Sequence, residues 1–132
     1  MAAFYLASRY GRLDELVQYR DHLRRLGHEV TSRWLNGEHR ISEDDTSRWY
    51  EFAEDDLDDI DAADVLIHFS QKARTPSRGG RFVEVGYALA LGMRVINVGP
   101  IENVFLAHRD VETFETWEDC LAAIAMQAVP SA

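Results

Sequence analysis

The chain has 132 residues, of which 46% are hydrophobic and 28% are charged. This composition is typical of one folded domain, and it excludes both a disordered chain and a membrane protein, because no apolar run approaches the roughly 20 residues of a membrane-spanning helix. The net charge of −9 at pH 7 argues against nucleic acid as a partner, since binding to a phosphate backbone depends on clustered positive charge.

Strand and helix patterns alternate along the chain. Short apolar runs bounded by turn residues predict strands, and apolar residues at i, i+3, i+4 spacing predict helices. Strands are predicted over residues 3–7, 29–34, 64–69, 94–98 and 111–114, and helices over residues 13–26, 42–61, 81–91 and 116–126. Ser42 and Thr116 are the predicted N-caps of the second and fourth helices, and Gly27 and Gly92 end the first and third.

Regular alternation of strands and helices predicts a parallel sheet with helices on both faces. We therefore expect residues 1–132 to form a single α/β domain, a flavodoxin-like or Rossmann-like three-layer sandwich around a five-stranded parallel sheet. In such sheets ligands bind at the carboxyl ends of the strands, near the point where the strand order reverses. The residues that directly follow the first four strands are therefore candidates for a binding site.

Glu84 is the first candidate for a functional residue. It follows a loop with two glycines, Gly79 and Gly80, which allow the backbone to approach a ligand closely. Its neighbours are mostly apolar, so its carboxyl group must be paired, protonated or functional. A place in the first turn of the third helix would favour the ionised form through the helix dipole. The same place suits a residue that only caps the helix, and the spacing leaves both interpretations open.

Helical geometry selects a second carboxylate. Residues 43–64 contain eleven of the 23 Asp and Glu residues of the chain, and most side chains of such a run form a solvated helix face. Asp56 instead lies in the middle of an apolar stripe made by Trp49, Phe52, Ala53, Ile60 and Ala63. An acid that breaks an inward-facing pattern is a candidate proton donor or orienting group. Asp59, at the edge of the stripe, is the second choice.

Arginines accumulate near the same predicted edge of the sheet. Six of them follow the first, second and third strands: Arg9, Arg12, Arg33, Arg74, Arg78 and Arg81. In an acidic protein, such a cluster predicts local attraction for an anion, such as a phosphate group. The alternative is that arginines simply populate solvent-exposed loops.

Other classes of site find little support. The five histidines show no metal-ligand spacing, and no cysteine pair is available for zinc. No P-loop, GxGxxG or GxSxG motif occurs. We therefore expect neither a metal nor a cofactor. Cys120 lies on an apolar helix face and is predicted to belong to the core, and a single cysteine without a signal-peptide pattern predicts a cytoplasmic protein.

The segment GGRFVEVGYALALGMRVINVGPIENVF, residues 79–105, resembles the catalytic motif of the nucleoside 2-deoxyribosyltransferase family, which includes relatives that hydrolyse nucleoside 5′-monophosphates. DLDDIDAADVL, residues 56–66, is similar to the segment that leads into the third strand of that family. The similarity extends from FYLAS near the N-terminus to TWEDCLAAI near the C-terminus. It therefore covers nearly the whole chain.

This resemblance implies roles for four residues. Glu84 would be the nucleophile that attacks C1′ of the sugar, and Asp56 would protonate or hydrogen-bond the departing base. Tyr5 matches a tyrosine whose hydroxyl orients the catalytic Glu. Asn103 matches a position that reaches into the neighbouring subunit's site, which implies a homodimer or a larger assembly.

The resemblance also implies a substrate, a nucleoside or its 5′-monophosphate. Nucleotide-hydrolysing relatives use Ser and Arg after the first strand and Ser before the catalytic Glu, and Ser8, Arg9, Arg12 and Ser77 stand in comparable places. These residues, with Gly79 and Gly80, are the predicted substrate-binding set. Transferase and hydrolase both stay open, as do the nucleobase and the sugar. The alternatives are a nucleotide-sensing module without catalysis and an NAD glycohydrolase.

Overall fold

Five short apolar segments form one parallel sheet in the computed structural model, which describes residues 1–37, 46–72 and 74–127. The strands are β1 (Ala3–Ala7), β2 (Glu29–Val30), β3 (Val65–Phe69), β4 (Arg94–Val98) and β5 (Val111–Phe114). The helices are α1 (Leu13–Arg25), α2 (Trp49–Asp61), α3 (Gly80–Ala90) and α4 (Trp117–Gln127). The strand order β2-β1-β3-β4-β5 is the flavodoxin-like order, and it confirms the predicted fold.

The helices cover both faces of this sheet. Successive residues of a strand point to opposite faces, and β3 shows this directly: Phe69 stacks on Tyr19 of α1, whereas His68 hydrogen-bonds to Arg81 of α3. Tyr19 also stacks on Trp117 of α4 at a ring distance of 4.7 Å, so α1 and α4 share one face. α2 and α3 pack together on the other face, and the predicted three-layer arrangement is confirmed.

The second strand is shorter than predicted. β2 ends at Val30, and Arg33–Asn36 form a 3₁₀ helix instead of continuing the strand. The physical reason lies in two side chains that take over the backbone groups of Leu6 in β1. The Ser32 Oγ accepts a hydrogen bond from the Leu6 N–H at 2.8 Å, and the Trp34 Nε1–H donates to the Leu6 carbonyl at 2.8 Å. The backbone of Leu6 therefore needs no hydrogen bonds from a longer β2, and the chain turns across the end of β1.

Two predicted helix starts have different outcomes. The Thr116 Oγ1 accepts a hydrogen bond from the Asp119 N–H at 3.1 Å, which confirms Thr116 as the N-cap of α4. α2 begins only at Trp49, after a turn, and the predicted N-cap Ser42 lies outside the described residues. Cys120 is completely buried, as predicted for a core residue. None of the described helices is long and apolar enough to span a bilayer.

Candidate active site

The candidate site includes Tyr5, in the middle of β1. Its side chain is completely buried, and its hydroxyl donates a short hydrogen bond to the Glu84 carboxylate of α3. β1 lies at the point where the strand order reverses, because its neighbours β2 and β3 are connected to it in opposite directions along the sheet. Tyr5 therefore brings Glu84 to the place where ligands bind in such folds.

Glu84 lies one residue further into its helix than expected. α3 begins at Gly80, after Gly79 adopts the left-handed backbone conformation with φ of 85°, and Glu84 is the fifth residue of the helix. The first-turn position that would let the helix dipole favour ionisation is thus wrong, since that effect fades beyond the first turn. Glu84 is neither an N-cap nor a surface residue. It is a half-buried side chain held by Tyr5.

Asp56 faces Glu84 from α2, and both carboxylates line one cleft. Asp59, the second choice, has a structural role instead. Its two carboxylate oxygens accept hydrogen bonds from the Arg33 backbone N–H at 2.9 Å and from the Arg33 Nε–H at 2.8 Å. The two acids therefore differ in place, because Asp56 lines the cleft and Asp59 anchors the segment after β2.

Burial and nearby negative charges keep protons on this carboxylate pair. Burial, and then the charge of Asp56, raises the pKa of Glu84 to about 8. Burial, and then the charges of Asp59 and Asp55, raises the pKa of Asp56 to about 7. The Tyr5 hydroxyl opposes the rise at both groups, and Arg33 opposes it at Asp56. Two interacting carboxyl groups titrate as one unit, so the pair shares a proton near neutral pH.

The cleft has a volume of about 900 Å³ and an aromatic wall. Tyr10, Trp34, Trp49 and Phe52 form this wall. Predicted substrate-binding residues stand on its rim: Ser8, Arg9, Ser77, Gly79 and Gly80. A pocket of this size with apolar walls and a few polar groups suits a small organic molecule.

Arg12 is the predicted substrate-binding residue that does not line this cleft. Its guanidinium group binds both carboxylate oxygens of Glu15 and donates to the Ser70 carbonyl at 2.9 Å and to Gln71 at 2.8 Å. Arg33 and Arg81 of the predicted cationic edge are likewise paired with carboxylates. Arg9 and Arg78 remain at the rim, and Arg78 lies over the Trp49 ring at 5.5 Å. The edge is therefore much less cationic than its arginine count predicts.

Asn103, which the resemblance also implies to be at a substrate site, lies outside this cleft as well. It lines a neighbouring cleft of about 480 Å³ together with Arg74 and Thr75. Within the chain, its Oδ1 accepts hydrogen bonds from the backbone N–H groups of Phe105 and Leu106 at 3.0 and 3.2 Å. Its role toward a second subunit stays a prediction.

The sequence of the chain matches a known family over most of its length. The model of the family "nucleoside 2-deoxyribosyltransferase" matches residues 4–119. The chain belongs to this family. The chain is therefore an enzyme of glycosyl transfer or cleavage. Among curated protein sequences, none matches.

Solved structures agree with this membership. The 2-deoxyribosyltransferase of Bacillus psychrosaccharolyticus has a TM-score of 0.73 and 25% identity, over 91% of this chain and 90% of that protein. A conserved protein of Enterococcus faecalis V583 has a TM-score of 0.75 at 15% identity, over 96% and 99%. CMP N-glycosidase BcmB of Clostridium botulinum has a TM-score of 0.59 at 20% identity, over 94% and 98%. The last two share the fold.

Two residues of the cleft of this family member were not singled out from the sequence. Tyr10 follows β1, and Trp34 lies in the segment predicted to be strand. Both stand just after the carboxyl ends of strands, where the fold predicts a ligand. Position alone could therefore have identified them, because large aromatic side chains at that edge are candidates for stacking on a base.

The raised pKa of Glu84 predicts that Glu84→Gln stabilises the protein at high pH. The folded-state pKa lies above the unfolded one, so the fold favours the protonated group, and its stabilising contribution is lost as pH rises from about 4.5 through about 8. Glutamine mimics the protonated form. Urea denaturation should show equal stability near pH 4 and a variant more stable by about 1–3 kcal/mol near pH 9, less than the full shift because the cleft admits water.

The matched control is Glu54→Gln on the exposed face of α2. Its free energy of unfolding should differ from that of the wild type by the same amount at pH 4 and at pH 9. A Glu84→Gln protein that is less stable than the wild type at pH 9 would contradict the unfavourable ionisation of Glu84.

Arg33 is expected to hold down the pKa of Asp56. Its guanidinium lies 2.8 Å from Asp59 and 3.4 Å from Asp55, the two carboxylates whose charges raise that pKa. Arg33→Met removes the neutralising charge and should shift the titration of the Asp56 carboxyl carbon, followed by ¹³C NMR, to higher pH. Arg33→Lys keeps the charge and should shift it less. A shift to lower pH in the Met variant would show that solvent, not Arg33, governs Asp56.

Proposed function

We propose that this family member breaks or transfers the N-glycosidic bond of a (deoxy)nucleoside or its 5′-monophosphate through a covalent glycosyl-Glu84 intermediate. The observation that carries the proposal is the pair of Glu84 and Asp56, which face one cleft at the strand-order switch point with Tyr5 bound to Glu84. A transition state with oxocarbenium character is stabilised by a nearby carboxylate, and a second carboxyl group supplies a proton to the leaving group.

In the first step, a Glu84 carboxylate oxygen forms a bond to C1′ as the bond from C1′ to the base nitrogen breaks. The electron pair of the broken bond passes to the base, which takes the proton of Asp56. In the second step, an acceptor base or a water molecule attacks C1′ and releases Glu84, and the proton of the attacking group returns to Asp56. The same face of the sugar is used for both departure and attack.

The productive state has a negative charge on Glu84 and a proton on Asp56. Burial raises the pKa of both groups, so either carboxyl group of the pair can carry the proton. A bound base that accepts a hydrogen bond from Asp56 favours the proton there, and the Tyr5 hydroxyl stabilises the charge then left on Glu84. Substrate binding thus selects the productive arrangement of the shared proton.

The lining of the cleft suits both the base and the phosphate of a nucleotide. The aromatic wall, with Trp34 and Phe52 among its members, provides faces on which a base stacks. On the rim, Arg9 offers a positive charge and Ser8 and Ser77 offer hydroxyls to a phosphate. A 5′-monophosphate therefore fits the proposal better than an unphosphorylated nucleoside.

A second copy of the chain is part of the proposal. Asn103 adjoins two exposed apolar side chains, Val104 at 77% and Phe105 at 67% exposure, and such residues together favour a protein contact. In a homodimer or larger assembly, Asn103 would reach the cleft of the neighbouring subunit. Analytical ultracentrifugation of the wild type and of Phe105→Asp tests this, since an unchanged oligomer in the variant would exclude this face.

The decisive experiment is a substrate panel. Deoxyribonucleosides, ribonucleosides and their 5′-monophosphates are incubated with the protein, with and without an acceptor base, and free and exchanged bases are followed by chromatography. Base exchange that requires the acceptor indicates a transferase, and base release in water indicates a hydrolase. No product from any substrate would refute the proposal. Tight calorimetric binding of a nucleotide that stays intact would then favour a sensing module, and nicotinamide release from NAD would favour an NAD glycohydrolase.

A further inference from the structure

A buried polar network joins the start of α3, the helix that carries Glu84, to the ends of β3 and β4. Arg81, the second residue of α3, is only 4% exposed and binds both carboxylate oxygens of Glu102. It also contacts the His68 Nε2 at 2.9 Å. The His68 Nδ1 lies 2.8 Å from the Asn97 Oδ1, which also accepts a hydrogen bond from the Ser70 Oγ at 2.8 Å.

The proton positions in this network follow from donor and acceptor capacity. Arginine only donates, so the His68 Nε2 accepts, and its Nδ1 carries the proton that Asn97 receives. Asn97 in turn donates through its Nδ2 to the carbonyls of Gly99 and Pro100, at 3.3 and 3.4 Å. Each of these hydrogen bonds thus has one donor and one acceptor. Burial lowers the pKa of His68 to about 4, so its imidazole is neutral.

Stability alone does not account for such a pair. A buried ion pair gains little over apolar side chains of the same volume, because both charges lose their hydration. Such a pair instead fixes the orientation of its two side chains, because a bidentate Arg–carboxylate contact holds both groups in one geometry. Arg81 precedes Glu84 by three residues, about one helical turn, and also lines the catalytic cleft. A shift of the first turn of α3 would therefore move Glu84 away from Tyr5.

We propose that Arg81, Glu102 and His68 are positioning residues that hold the first turn of α3 so that Glu84 stays hydrogen-bonded to Tyr5. The inference deepens the proposed function and rests on it, because it assigns a means of alignment to the same carboxylate. Misplacement of a reacting group by about 1 Å costs on the order of 100-fold in rate. The network is thus expected to affect turnover more than substrate affinity.

The test is Glu102→Gln, which keeps the shape of the side chain and removes its charge. We expect kcat to fall about 10- to 100-fold with KM changed less than about threefold. The matched control is Glu112→Gln, which breaks another bidentate pair, between Arg94 and Glu112, with contacts of 2.6 and 2.9 Å. This control should lower stability at most and leave kcat unchanged. Equal kcat in Glu102→Gln, per folded molecule, would overturn the proposal.

A readout without substrate separates this inference from the proposed function. The Tyr5 hydroxyl proton, hydrogen-bonded to Glu84, should give a downfield ¹H NMR resonance that is weakened or lost in Glu102→Gln and kept in Glu112→Gln. A retained resonance in Glu102→Gln would refute the positioning role, whether or not the wild type releases a base. If Glu102→Gln does not fold, Arg81→Lys, which keeps the charge but not the bidentate contact, decides by the same two measurements.

Discussion

Glu84→Gln should lower kcat by at least about 10³-fold while the protein remains folded. The amide is almost isosteric with the carboxyl group, and its oxygen still accepts the hydrogen bond from Tyr5. It lacks the negative charge and the nucleophilicity needed to trap the sugar at C1′, so both the covalent bond and the electrostatic stabilisation of the oxocarbenium-like transition state are lost. The measurement is base release or exchange under saturating substrate, with circular dichroism as the check on folding.

The intermediate itself supplies the second half of this test. Acid quenching of the wild type during turnover, followed by peptide mass spectrometry, should find the sugar bound to the peptide that contains Glu84. The Glu84→Gln protein should show no such adduct, and Glu54→Gln, which changes an exposed acid on α2, should show as much as the wild type. Normal turnover by Glu84→Gln would refute the covalent mechanism, even if the protein still cleaves or transfers the N-glycosidic bond.

Asp56→Asn should lower kcat by about 10²- to 10⁴-fold, the usual range for a general acid. The loss should depend on the leaving group, because a base that departs easily without a proton needs Asp56 less. A series of nucleotides whose bases differ in basicity should therefore show the largest effect for the most basic leaving group. This dependence separates proton donation from a general distortion of the cleft.

The control for Asp56→Asn is Asp58→Asn, two residues further on the same helix and exposed. It removes a negative charge from α2 without touching the cleft, so kcat should change less than about threefold. A uniform loss across the leaving-group series in Asp56→Asn would show that Asp56 binds the substrate but does not protonate the base.

The pair also predicts the pH dependence of turnover. The mechanism requires a protonated Asp56 and an ionised Glu84, so the pair must carry one proton. Activity should therefore follow a bell-shaped curve against pH. Since burial and repulsion raise both pKa values, to about 7 and about 8, the acid limb should lie well above the pH range in which ordinary carboxyl groups titrate. An acid limb near pH 4 would contradict the raised pKa values of Glu84 and Asp56.

Local sequence patterns were enough to predict most of the helices and strands. They also selected Glu84 and Asp56, but not Tyr5, as candidate site residues. Buried parallel strands require apolar runs such as Val65–Phe69, and amphipathic spacing defines the helices packed on them, so the fold class follows from the chain itself. Asp56 was selected because it interrupts an apolar stripe, and Glu84 because it stands among apolar neighbours after two glycines. β2 was misjudged because Ser32 and Trp34 bind Leu6 across the fold, an interaction that no local pattern contains.

The sequence by itself thus determined the layer architecture, the edge of the sheet at which a ligand is expected and the family to which the chain is similar. Only the tertiary structure decided which charges are available there. Arg33 and Arg81 resemble Arg9 in local sequence, yet their partners Asp59 and Glu102 lie 26 and 21 residues away. The protonation state of Glu84 also depends on the tertiary structure. Burial and the charge of Asp56 raise the pKa of Glu84, and both effects arise only when distant segments pack together.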